Sequence, residues 1–151
     1  MQLSKNLSLA EMLNSESAKR RGISNQPTPE HVENMKLLAT KVFQPIRDHF
    51  GVPIIISSGY RSKALNTAIG GSQASQHSKG EAMDIDMDNT SLTNAQIFHW
   101  IKDNLVFDQI IWEFGTNTNP DWVHVSYSSK GNRKQVLKAV KVKGKTHYEN
   151  F

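Results

Sequence analysis

The chain has no cysteine, so any metal it holds must be bound by histidine or carboxylate side chains. Two such residues stand close together. His77 closes the glycine- and serine-rich run 70–76, and Asp84 follows it on an alternating segment, with Gly80 between them to let the chain turn. A third, His124, lies far downstream between Val123 and Val125. Two imidazoles and a carboxylate leave the fourth tetrahedral position of zinc open, as catalytic zinc sites do. Water at that position becomes nucleophilic near neutral pH while the metal polarises a carbonyl, and a further carboxylate must handle the proton. Spacing alone leaves a second reading open: His77 and Asp84 as a hydrogen-bonded pair tying a loop to a strand.

These residues need a scaffold. Ser8 and Glu11 have the spacing of a capping box opening a helix over 8–20. Pro29 opens a second helix, with Val32, Met35, Leu38, Val42, Phe43 and Ile46 at helical spacing and Gly51 at its end. Residues 53–58 form an apolar strand, 63–66 a short helix, and 70–76 a flexible loop. Segment 82–87 alternates as a half-buried strand, and 91–105 is a helix whose apolar side carries Leu92, Ile97, Trp100 and Ile101. Segments 109–114 and 122–127 are two strands joined by a Gly/Asn/Thr/Pro loop, an antiparallel pair with a long connection. Residues 136–142 are a helix or a strand. The expected fold class is α+β, a small, mainly antiparallel sheet flanked by helices, in one domain spanning 1–151.

Composition narrows the function. Hydrophobic residues make up 37% and charged residues 21%, a globular balance rather than a disordered one. The net charge of +4 leaves nucleic acid and an anionic cell wall as possible polyanionic partners. The basic C-terminal run from Lys130 to Lys145 lacks the interleaved aromatics of a single-strand-binding surface, and no nucleic-acid-binding motif is present. No stretch has the length of a membrane span, so no membrane insertion is expected. The N-terminus lacks a basic segment followed by an apolar run, and the expectation is synthesis in the cytoplasm without a signal peptide.

The pattern Ser75-x-His77-x-x-Gly80-x-Ala82-x-Asp84, with Trp122-x-His124 downstream, resembles the zinc D-Ala-D-Ala carboxypeptidase family of peptidoglycan peptidases, and most of all its compact phage-type branch. The resemblance extends to Leu9-Ala10-Glu11-Met12, to Ser57-Ser58-Gly59-Tyr60-Arg61-Ser62 and to Phe107-Asp108-Gln109-Ile110-Ile111. It implies a hedgehog/DD-peptidase-like fold, Zn2+ as cofactor, and His77, Asp84 and His124 as metal ligands. Arg61 is implied to hold the substrate or the developing oxyanion, a task that suits a fixed charge with paired donors. Ser75 and Gln76 are expected to orient the loop or contact substrate, and Asp86, on the strand face of Asp84, is the rival ligand.

For the general base, better-known members of that family place a glutamate where this chain has Asp121. The phage-type branch resembles Ile110-Ile111-Trp112-Glu113-Phe114-Gly115 instead, and Glu113 is preferred here. The expected activity is hydrolysis of stem-peptide bonds of peptidoglycan, as a D-Ala-D-Ala carboxypeptidase or an endopeptidase cutting at bonds such as L-Ala-D-Glu, in the manner of a phage endolysin. The enzyme is expected to act as a monomer and to reach the wall by release or delivery, as a virion component for example. The alternative is a non-catalytic, zinc-stabilised wall-binding or virion structural module.

Overall fold

The computed structural model describes residues 1–72 and 74–151; Gln73, within the expected 70–76 loop, lies outside the described residues. A small hairpin of β1 (Gln2–Ser4) and β2 (Leu7–Ser8) opens the chain. The capping box forms as expected, with Ser8 accepting from the Glu11 amide and Glu11 reaching back. The helix it starts is short, however. Asn14 turns extended after α1 (Leu9–Leu13), and Ser15 caps a separate α2 (Glu16–Arg21), so the expected single helix is two.

The long helix is observed as α3 (Pro29–Leu38), one widened turn (Ala39–Phe43) and α4 (Gln44–Phe50). Pro45 has no N–H to donate, and the ladder accommodates this by letting the Gln44 amide reach Ala39. Gly51, at a φ of 69°, ends α4 as expected. After β3 (Ile56–Ser58), shorter than its apolar run, come α5 (Lys63–Ala68) and a single turn of 3-10 helix (Gln76–Lys79). Next are β4 (Ala82–Ile85), α6 (Asn94–Asn104), β5 (Gln109–Glu113) and β6 (Trp122–Ser126). The uncertain C-terminal segment is β7 (Gln135–Val142), which continues into β8 (Lys145–Asn150).

Six strands form one sheet in the order β3-β4-β6-β5-β7-β8, antiparallel throughout except for β5 beside β7. The chain is therefore α+β with a mainly antiparallel sheet, as its sequence implies. Strand alternation divides the sheet into two faces. Met83, Ile85, Val123, Val125, Ile110 and Trp112 point to the helices and join Met35, Leu38, Phe43 and Phe98 in the main core. The other face carries Asp84, His124, Ile111, Glu113, Leu137 and Ala139 in register, and is open to a groove. A one-residue slip of any strand would exchange core for site, so burial of the apolar face fixes the position of the polar one.

Candidate metal centre

Asp84 and His124 are direct cross-strand partners on β4 and β6. That register holds the carboxylate beside the imidazole, and Oδ1 lies 3.1 Å from His124 Nδ1. His77 arrives from the 3-10 turn. Ser75 caps this turn by accepting from the His77 amide at 3.2 Å, which is its observed role. The turn ends at Gly80, at a φ of 74° and pressed against the His31 carbonyl, where no larger residue fits. Nδ1 of His77 lies 2.8 Å from the Gly59 carbonyl, so that nitrogen carries the proton and donates it. Nε2 is left facing Asp84, whose Oδ1 is 3.3 Å away.

One ligand atom from each of His77, Asp84 and His124 therefore falls within 4.8 Å of the others. Among the described residues no fourth histidine or carboxylate joins the group. Burial alone would raise the Asp84 pKa, but His77 and His124 drive it well below the ordinary carboxylate value. A permanently ionised carboxylate between two imidazoles, one with its tautomer fixed from outside, fits a divalent transition metal such as zinc. Asp86 takes no part: it lies past the end of β4 and accepts from the Asp88 amide and the Asn94 side chain.

The two candidate bases part company. Glu113 is 7% exposed and on the site face of β5, in the row beside His124. Its carboxylate has no hydrogen-bond partner among the described residues. Burial pushes its pKa up to about 7; His124 opposes this and Asp84 adds to it. Asp121 is exposed in the loop before β6, and its charge acts on Asp88. Its backbone, by contrast, is engaged: its amide donates to the Glu113 carbonyl, and its own carbonyl accepts from Asn94.

Arg61 follows β3 and lines the groove beside Asp84. Its Nε is buried without a hydrogen-bond partner. Gln76 donates to Asp108 Oδ2 at 3.0 Å, and Arg133 clamps the same carboxylate at 2.8 and 3.0 Å. Gln76 is therefore tied to the wall of the groove. The groove, about 970 Å³, runs from Lys79 and Arg133 past the three ligand candidates to Lys141 and Tyr148.

Sequence reasoning missed the Gly59 carbonyl and the β7–β8 wall of the groove. The first acts through its backbone, although Gly59 does sit inside the Ser-Gly-Tyr-Arg motif. The second depends on a parallel pairing that no local signal announces.

A family model described as Peptidase M15 matches residues 5–126, and the chain belongs to that family of peptidases. The match takes in β2 through β6 and all three residues of the metal centre, and ends where the C-terminal hairpin has yet to begin. None of the curated proteins compared with the chain matches it.

Proposed function

We propose that the protein is a zinc peptidase that hydrolyses a stem-peptide bond of peptidoglycan, and that it cuts within the stem as an endopeptidase. The observation that carries this is the convergence of His77, Asp84 and His124 beside Glu113, a buried carboxylate without a partner. His77 Nε2, Asp84 and His124 Nδ1 would hold the ion, which when bound polarises the scissile carbonyl and acidifies water.

The chain's own side chains do the rest. Glu113, poised near neutrality by burial, takes the proton of the attacking water and returns it to the leaving nitrogen. Arg61 supplies paired donors to the carbonyl oxygen as it gains charge. The Gly59 carbonyl and the Ser75 cap keep the His77 ring from turning. A structural zinc site would close its fourth position with protein, and the absence of a fourth ligand candidate among the described residues supports catalysis over a binding module. The groove continues on both sides of the trio, which suits an internal bond better than a terminal one.

The test is mass spectrometry of purified muropeptides digested with and without a chelator. A chelator-sensitive loss that splits the stem internally supports the proposal. Release of the terminal residue alone would make the enzyme a carboxypeptidase, and no product from several wall types would refute hydrolysis.

A further inference from the structure

We infer that the β7–β8 hairpin carries a subsite for a free carboxylate on the residue flanking the scissile bond, with Lys141 as its charge partner and Tyr148 as its wall. This rests on the hydrolase reading above. The hairpin lies outside residues 5–126, the part of the chain that the family model matches. Its site-facing side chains continue the rows of the sheet. Glu113 pairs with Ala139, and Ala139 with Tyr148, so a single buried methyl separates the base from the phenol. Burial, Glu113 and Asp84 all favour the protonated phenol, which keeps it a donor. Tyr148 is 58% exposed, and its hydroxyl and ring have no partner among the described residues.

Lys141 lies two residues along β7 from Ala139, roughly 7 Å, which is the span of two residues of an extended peptide. Its Nζ is 3.2 Å from Thr146 Oγ1 and 5.2 Å from the centre of the Phe114 ring. A hydroxyl and an aromatic face position the ammonium without neutralising it. No carboxylate among the described residues pairs with it, whereas Arg133 at the opposite end of the groove is clamped by Asp108. The floor between Lys141 and the metal centre is formed by Ile111, Leu137 and Ala139, with Glu113 paired beside Ala139. A peptide lying on it displaces water and strengthens a charge contact at its edge.

The test uses two synthetic stem peptides that differ in one group, a carboxylate or a carboxamide on the residue flanking the cut bond. The zinc-loaded wild-type enzyme should show a KM roughly tenfold lower for the carboxylate, with kcat little changed. Lys141→Met, which keeps an unbranched chain over Phe114, should lose that difference by raising KM for the carboxylate peptide toward that for the carboxamide. Tyr148→Ala should raise KM for both peptides. Equal KM values in wild type, or a preference that survives in Lys141→Met, would overturn the subsite alone; an unchanged Tyr148→Ala would remove Tyr148 from it. Failure to cut either peptide would overturn the hydrolase reading and the subsite with it.

Discussion

Asp84 Oδ1 stands 3.1 Å from Nδ1 of His124, its cross-strand partner, so the centre of the site is built into the sheet and not hung on a loop. The same oxygen is 3.3 Å from His77 Nε2. Asp84→Asn keeps the shape but removes the charge that neutralises a divalent ion. The variant should fold and lose zinc. Metal analysis after dialysis should find one zinc per wild-type chain and little in the variant. Added zinc should stabilise the wild type by about 4 kcal/mol at a thousandfold excess over its Kd, and leave Asp84→Asn unmoved. A variant that retains stoichiometric zinc would remove Asp84 from the ligand set.

Glu113 and Asp121 can be separated because Glu113 is buried on β5 and Asp121 is exposed in the loop before β6. Glu113→Gln should keep its zinc and lose about 10²–10⁴-fold in kcat, since a positioned proton carrier contributes on that order. Asp121→Asn, in an exposed loop where the backbone makes the contacts, should stay near wild type. Turnover and zinc content measured on both variants decide the matter; the reverse pattern would make Asp121 the base.

The buried Glu113 also sets a pH dependence of stability in the metal-free protein. Its folded pKa, about 7, lies above the ordinary 4.5, so the folded state holds the proton more tightly than the unfolded chain. Folding is favoured below about pH 4.5, and that advantage is lost as pH rises through about 7. The penalty at higher pH is of order 3 kcal/mol. Asp84 acts in the opposite sense, with stability lost as pH falls below the ordinary carboxylate range, and does not interfere above about pH 5. Denaturation of chelator-treated protein should therefore show Glu113→Gln more stable than wild type near pH 8 and equal to it near pH 5. Parallel curves at both pH values would contradict this account of Glu113.

Much of the site was legible in the sequence because its parts are local. His77, Gly80 and Asp84 fall within one turn and strand, and the β5–β6 pair announces itself by alternation and a long polar loop. Strand parity then puts Glu113 on the face of His124, which a linear motif does not state. The hairpin was harder to read. All six residues of β8 are exposed, so no hydrophobic period marks it, and β7 joins the sheet through a parallel pairing distant in sequence. The first helix was read too long because Ser15, a second cap, looks in sequence like any polar helix residue.

Gly59 was another residue whose role could not be read locally, and it offers a direct test. A Cβ there would stand 2.5 Å from the Met12 carbonyl oxygen and 2.9 Å from Met12 Sδ. The sulfur can move; the carbonyl cannot without shifting α1. Gly59→Ala should therefore displace the carbonyl that orients His77. Destabilisation of about 1–3 kcal/mol and zinc affinity weakened about 10–100-fold are expected. Zinc titration followed by calorimetry measures both, and unchanged affinity would show that the His77 tautomer is set by some other contact.

Arg61 places stability and catalysis in opposition. Its Nε is buried without a partner, and burial lowers the pKa of the guanidinium while the charge of Asp84 opposes that shift. With no substrate present the folded protein therefore carries a cation that is incompletely solvated. Replacing such a group by an apolar one of similar length is commonly neutral or stabilising. Arg61→Met should thus melt at or above the wild-type temperature. If Arg61 donates to the scissile carbonyl as charge develops there, the same change should lower kcat about 10²–10³-fold. Arg61→Lys keeps the charge and loses the planar pair of donors, so it should recover a small part of the rate. Melting curves and steady-state rates on the three proteins test both halves at once. A destabilised Arg61→Met with normal turnover would make Arg61 a structural cation, and its unpaired Nε would then have nothing to do with substrate.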